Sequence, residues 1–246
     1  TALGLAYFFS RRAKLRLRWS ELRLKLTAIP QIFAIGTSSF FMYAYGSMMV
    51  ALHNALLSQY GEQLMIGAYA ILGYIVTVYY LTAEGIANGM QPLVSYNHGA
   101  RNQANIRKLL KIAMMSSLLI GIAFVLLLNA FPREFVSVFN SDEPQLVEYT
   151  VLGIRLHMFA LALDGFLVVA GAYYQAVNKG SKAMFVTVGN MLIQLPFLYI
   201  MPKLYGVPGI WIAYPLSNIA LSVVVMIMLY KDVKKLDAAP LETATA

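Results

Sequence analysis

Two carboxylates lie inside long apolar stretches of this 246-residue sequence. Asp164 stands near the middle of one stretch, in LALDGFLVVAG, and Glu84 stands in another, in LTAEGIANGM. A carboxylate is costly in hydrocarbon, so ionisable residues within membrane spans usually face the bundle interior or a water-filled path. In that setting a carboxylate can exchange a proton or bind a cation. We therefore predict that Asp164 and Glu84 are cation-coupling residues.

Polar residues at helical spacing mark the interior that these carboxylates would face. Positions seven or eleven apart on a helix point in nearly the same direction, which places His157 and Gln175 on one stripe with Asp164. The predicted substrate path comprises His157, Gln175, Tyr43, Asn190, Gln194 and Asn218. Amides and hydroxyls at this spacing also act as hydrogen-bonding glue between helices, and both interpretations stay open. His157 could relay protons or only form a hydrogen bond.

The composition indicates a membrane protein. Of all residues, 59% are hydrophobic and 12% charged, whereas a soluble domain is about half apolar and about a quarter charged. The sequence therefore predicts an all-α polytopic integral membrane bundle. The net charge of +8 comes from short basic blocks between apolar runs, which excludes nucleic acid as a partner. The sequence has no cysteine and no HExxH, GxSxG or GxxxxGK pattern, so we predict neither an enzyme nor a metal site.

Six apolar runs approach or exceed the roughly 20 residues that cross a bilayer. They occupy about 30–57, 65–96, 109–131, 146–174, 183–201 and 207–230. Residues 30–230 are thus predicted to form a six-helix transmembrane lobe. Residues 1–10 are interpreted as the end of a preceding transmembrane helix, 11–29 as a basic connector, and 231–246 as a polar tail.

The distribution of basic residues predicts the orientation. Lys and Arg are retained on the cytoplasmic side of a membrane. Most of the 19 Lys and Arg residues fall in the connector, the second-to-third turn, the fourth-to-fifth turn and the tail. The opposite loops hold only Arg133 and Lys203. We expect both ends of the chain to be cytoplasmic, in a bacterial inner membrane.

A motif after the second run resembles a known family. The segment AEGIANGMQPLVSYNHGARNQANIRK, residues 83–108, is similar to the corresponding span and turn of the multidrug and toxic compound extrusion family. The matching residues include Gln91, Pro92, Tyr96, Asn97 and Gly99. Pro92 removes a backbone donor late in the span, and Gly99 offers the turn a residue that tolerates positive φ. The resemblance extends over about residues 30–235.

The resemblance implies a function that periodicity does not. It implies twelve spans in two lobes, alternating access, and export of organic cations in exchange for Na⁺ or H⁺, with no other cofactor. This chain would be the second lobe, with the N-terminal lobe and membrane lipid as partners. Some branches carry a Glu in the first span of this lobe, but residues 36–49 contain no acid. Coupling would then depend on Asp164, Glu84 or the other lobe.

Two alternatives remain open from the sequence. A lipid or polysaccharide-precursor flippase of the same superfamily would share the span count. Its cavity should carry several cationic residues, whereas only Arg155 lies inside a span here. A non-transporting membrane assembly subunit would need no buried carboxylate, and its charge-neutralised variants would keep working.

Overall fold

A computed structural model of the chain describes Tyr7, Phe9 and residues 46–238. The chain divides into two compact units, residues 1–49 and 50–246, and the second unit contains nearly all of the described residues. The predicted connector, Tyr43 and the beginning of the first predicted span lie outside the described residues.

The described part of the chain consists of helices and turns and contains no strand. The helices are residues 46–60 (α1), Gln63–Gly99 (α2), Gln103–Ala130 (α3), Pro132–Ser137 (α4), Pro144–His157 (α5), Leu161–Ala176 (α6), Gly180–Tyr205 (α7) and Val207–Ala238 (α8). Helices α2, α3, α7 and α8 are each long and apolar enough to cross a membrane. Helices α5 and α6 reach that length only together, as a bent pair that is either a broken span or a re-entrant loop. The predicted fold class, a polytopic helical membrane bundle, is confirmed.

Helix α6 is the central element of this bundle. It packs against α2, α3, α7 and α8. Most of its residues from Phe166 onward belong to or pack against the larger apolar core cluster, which includes Val169 and Tyr174. Because α6 is covered on several sides, a polar side chain near its start is enclosed by protein rather than by lipid.

The fourth predicted span is not one continuous helix. It breaks at residues 158–160, and the two halves are bent by 53°. Neither proline nor glycine occurs at these three positions, so the usual sequence signals of a kink are missing. The break leaves His157 at the end of α5 and Asp164 in the first turn of α6. The prediction of a single stripe carrying His157 together with Asp164 and Gln175 is therefore wrong.

The turn between α2 and α3 differs from the expected geometry. Helix α2 continues through Pro92 to Gly99, and the positive φ lies at Arg101, at 54°. The predicted conformational role of Gly99 is therefore wrong. Asn97 closes the turn instead: its Nδ2 donates to the Leu93 carbonyl at 2.9 Å, and its Oδ1 accepts from Asn105 Nδ2 at 3.1 Å. The bond between Asn97 and Asn105 joins the end of α2 to the first turn of α3.

The end of α8 carries a buried ion pair where the sequence predicted a polar tail. The helix runs on to Ala238 rather than ending near residue 230. Asp232 is only 4% exposed, and its Oδ2 lies 2.5 Å from Lys182 Nζ and 3.5 Å from Lys179 Nζ. Two partially exposed lysines thus neutralise one buried carboxylate. The pair joins the α6–α7 turn to α8.

Candidate cation site

Asp164 is a buried carboxylate held by neutral groups from two neighbouring helices. Its side chain is 2% exposed. Its Oδ2 accepts hydrogen bonds from the hydroxyl of Tyr80 on α2, at 3.1 Å, and the hydroxyl of Tyr214 on α8, at 3.0 Å. Its Oδ1 accepts from Nδ2 of Asn218, one turn further along α8. The positive end of the α6 dipole also favours a negative charge in this first turn.

Among the described residues, no cationic side chain is paired with Asp164. Across the residues that the structure describes, the ion pairs of a lysine with an aspartate are those of Asp232. A buried carboxylate without a counter-charge must either carry a proton or attract a cation. Asp164 therefore has the chemistry of a proton or cation site.

The hydrogen count around Asp164 depends on its protonation. The hydroxyl oxygens of Tyr80 and Tyr214 lie 2.5 Å apart, and each also bonds to Asp164 Oδ2. These three oxygens form a closed triangle whose three edges need three hydrogens. The two phenols supply two hydrogens, and a protonated carboxyl supplies the third. In that state Oδ2 donates to one phenol and accepts from the other, instead of accepting from both. With an ionised carboxylate, one edge lacks its hydrogen and two lone pairs face each other.

Oxygen atoms dominate the surroundings of the carboxylate. The amide Oδ1 of Asn218 is buried and has no hydrogen-bond partner among the described residues, which leaves an acceptor open to a cation or a donor. The described residues include no group of three or more His, Cys, Asp or Glu that could hold a metal ion. One carboxylate with neutral oxygens suits a proton or a hard monovalent cation better than a transition metal.

Glu84 lies apart from this site. It is exposed on α2, one turn beyond Tyr80. Among the described residues, the hydrogen-bond partners of Asp164 are Tyr80, Tyr214 and Asn218, and Glu84 is not one of them. Further along the same face of α2, Gln91 Nε2 donates to Gln175 Oε1 of α6 at 3.1 Å. Polar groups therefore follow the contact between α2 and α6, with Asp164 at one end and Gln175 at the other.

His157 joins the site through α8 rather than through its own helix. Its Nδ1 lies 2.9 Å from the Trp211 carbonyl oxygen, and its ring stacks on Tyr214 at 5.1 Å between centroids. Of the other predicted path residues, Asn218 bonds directly to Asp164. Asn190 is half-buried and Gln194 is buried on α7, and neither is among the recorded partners of Asp164.

Tyr80 and Tyr214 are site residues that the sequence prediction did not select. Each precedes a selected residue by four positions, Glu84 on α2 and Asn218 on α8. On a helix this spacing places both members of a pair on one face. The sequence signal that could have identified both residues is a tyrosine one helical turn before a predicted site residue.

A family model described as MatE matches residues 38–200. That range covers most of the sequence and includes α2, α3, Asp164 and the 83–108 motif. The chain belongs to the MatE family. The resemblance carried by the motif is confirmed, and the MatE chain is a multi-pass membrane protein of a multidrug efflux transporter family.

Curated relatives of the MatE chain are about twice as long. The multidrug export protein MepA of Staphylococcus aureus (strain NCTC 8325 / PS 47) is 28% identical over 218 residues, which are 87% of this chain and 47% of MepA. MepA of Staphylococcus saprophyticus subsp. saprophyticus is 23% identical over 239 residues, 96% of this chain and 52% of that protein. The MatE chain thus spans about half the length of the curated relatives it matches.

Solved structures share the fold. An outward-facing multidrug resistance MATE family transporter matches with a TM-score of 0.79 at 18% identity, over 96% of this chain and 53% of that one. An inward-facing transporter of the same kind gives 0.80 at 16% identity, over 99% and 56%. A MOP superfamily transporter from Pyrococcus furiosus, whose reverse binding-pocket polarity is described as suggesting a different function, gives 0.78 at 19% identity, over 96% and 54%. At these identities the likeness shows the fold alone.

Proposed function

We propose that the MatE chain is the C-terminal lobe of a multidrug efflux antiporter that exports organic cations in exchange for H⁺ or Na⁺ by alternating access, without catalysing a chemical reaction. The observation that carries this proposal is Asp164, a buried carboxylate bonded to hydroxyls and an amide and opposed by no cation in the described region. The multidrug export function named for the MepA relatives supports it.

Exchange follows from competition for one negative charge. A drug cation near Asp164 favours the ionised carboxylate, whereas a proton removes the charge that attracts the drug. Two ligands that oppose each other at one group are coupled, and the coupling acts equally in both directions. The completed hydrogen triangle with Tyr80 and Tyr214 favours the proton as the coupling ion, because the closed arrangement needs a third hydrogen.

The triangle also links protonation to helix positions. Tyr80 belongs to α2, Asp164 to α6 and Tyr214 to α8, so a protonated carboxyl draws these three helices together. Within transporters of this kind, lobes rock about a central site to change its exposure. The fold matches outward-facing and inward-facing relatives with nearly equal TM-scores, 0.79 and 0.80, which supports a lobe that moves largely as a unit.

The proposed orientation places the basic turns in the cytoplasm of a bacterial cell. Arg107 and Lys108 at the start of α3 are exposed. Lys179 in the α6–α7 turn and Lys182 in the first turn of α7 lie beside the same apolar cluster as the start of α3. Basic residues concentrate at the cytoplasmic face of a membrane protein. Both ends of the chain would then be cytoplasmic.

A flippase for anionic lipids or polysaccharide precursors is the second candidate. Such a protein needs cationic side chains where the anionic headgroup binds. Arg155 is exposed on α5 and is not among the partners of Asp164. An acidic site without an adjoining cation fits an organic cation better than a phosphate. A non-transporting assembly subunit is distinguished from both by the flux measurement below.

The decisive experiment is flux through the full-length protein in proteoliposomes, with ethidium as the organic cation. We expect an imposed proton gradient to drive ethidium movement and a Na⁺ gradient alone to drive less. The reason is that a protonated Asp164 supplies the third hydrogen that its contacts with Tyr80 and Tyr214 need. Empty liposomes are the control. Ethidium movement that follows neither gradient would contradict antiport, and movement that follows only Na⁺ would reassign the coupling ion.

Replacement of Glu84 by Gln should slow ethidium export only a few-fold. Glu84 is exposed and lies one turn from Tyr80, so its charge can attract cations toward the site while Asp164 remains intact. The matched control is Glu148→Gln, which also removes an exposed carboxylate, in this case one on α5. Export by Glu84→Gln at the wild-type rate under all gradients would show that Glu84 has no part in the path.

A further inference from the structure

Pro215 interrupts the backbone hydrogen bonds of α8 beside the site of Asp164. Pro215 lies inside this helix and has no N–H. In an α-helix that N–H would bond to the carbonyl four residues earlier, which belongs to Trp211. The Trp211 carbonyl is therefore left without its helical donor, within a turn of Tyr214. A buried carbonyl in this position needs another donor.

His157 supplies that donor. Its Nδ1 lies 2.9 Å from the Trp211 carbonyl oxygen. A carbonyl oxygen only accepts, so the hydrogen is on Nδ1. The imidazole is buried, and edge-on contacts with the rings of His53, Tyr69 and Trp211 enclose it at centroid distances of 6.0, 5.8 and 6.1 Å. The end of α5 is thus fastened to α8 where the proline interrupts the helical hydrogen bonds.

The same imidazole also orients the ring that reaches Asp164. His157 and Tyr214 stack with centroids 5.1 Å apart and planes 22° from parallel. Tyr214 donates to Asp164, and Asn218 one turn later donates to the other carboxylate oxygen. His157 therefore holds this stretch of α8 twice, through the backbone at Trp211 and through the ring of Tyr214.

We propose that His157 is a positioning residue that uses the carbonyl exposed by Pro215 to hold Tyr214 against Asp164. Its Nδ1 hydrogen is committed to the Trp211 carbonyl, so any proton exchange by this imidazole would have to use Nε2 alone. The consequence for transport rests on the proposed function, because it assumes that Asp164 is the coupling carboxylate. The fastening itself does not depend on transport.

The first test measures the fastening without transport. His157→Phe keeps an aromatic ring on Tyr214 but removes the donor, and it should lower the unfolding temperature by about 3 °C. Pro215→Ala returns an N–H that can bond to the Trp211 carbonyl. In that background His157→Phe should cost much less, so the two substitutions should be strongly non-additive. Equal losses in both backgrounds would overturn the proposal.

The second test measures the consequence in ethidium flux. His157→Asn places an amide N–H as many bonds from Cα as Nδ1, whereas His157→Gln places it one bond further. We expect Asn to retain most of the export rate and its dependence on proton concentration, and Gln to lose about tenfold. Equal loss in both variants at normal protein levels would indicate proton relay and overturn positioning. Absence of flux in the wild-type protein would reject the proposed function, and the unfolding experiment would still decide the fastening.

Discussion

Replacement of Asp164 by Asn should reduce gradient-driven export to background while leaving a folded, membrane-inserted protein. Asn has nearly the shape of Asp and can still bond to Tyr80, Tyr214 and Asn218. It cannot exchange a proton or balance a cation, so the competition that couples the two fluxes is lost. The measurement is ethidium flux in proteoliposomes under imposed proton and Na⁺ gradients, together with the amount and the size-exclusion profile of the purified variant.

Two further variants separate charge from structure at this position. Asp164→Glu keeps the charge but lengthens the side chain by one methylene, and we expect partial export with altered ion dependence. Asp142→Asn removes an exposed acid in the loop before α5 and should export normally. Normal flux under both gradients by well-expressed Asp164→Asn would end the coupling assignment, and coupling would then have to be sought at Glu84 or in the other lobe.

Replacement of Gly165 by Ala should destabilise the bundle and displace the neighbouring carboxylate. A Cβ at this position would collide with the hydroxyl oxygen of Tyr79 on α2 and with Oγ of Ser117 on α3, and would lie 3.2 Å from the Tyr79 ring. Three helices meet here because residue 165 has no side chain. Forcing extra volume into a packed core costs about 1–3 kcal/mol. Any shift of α6 also moves Asp164 relative to Tyr80.

The colliding atoms can be removed to test this explanation. Tyr79→Phe with Ser117→Ala deletes both oxygens, and adding these changes to Gly165→Ala should restore much of the unfolding temperature and the flux. Gly89→Ala on α2 is the control, because a Cβ there would meet nothing within 4 Å. A Gly165→Ala protein with wild-type stability and flux, or a triple variant no better than Gly165→Ala, would refute the packing explanation.

Several features of this protein follow from the sequence alone because they depend on local properties. An apolar run long enough to cross a bilayer is a helix wherever it lies in the fold, since hydrocarbon leaves the backbone no other hydrogen-bond partner. The four continuous spans after the first, and the membrane class, are of this kind. Asp164 also stands out locally, as an acid within such a run. The 83–108 motif is continuous in sequence, which is why it identified the family.

The tertiary structure decided what surrounds those residues. Tyr80, Tyr214 and Asn218 meet Asp164 because α2, α6 and α8 pack together, and helical periodicity does not report which helices are neighbours. The break at residues 158–160 has no proline or glycine to reveal it. Contacts on either side stabilise it, with His157 bonded to α8 and Asp164 bonded to α2 and α8. From the sequence Asp232 reads as a tail residue, and only the packing of α7 against α8 brings Lys182 to it. In each case the partner is distant in sequence, and hydrogen bonds between distant residues exist only once the helices have packed.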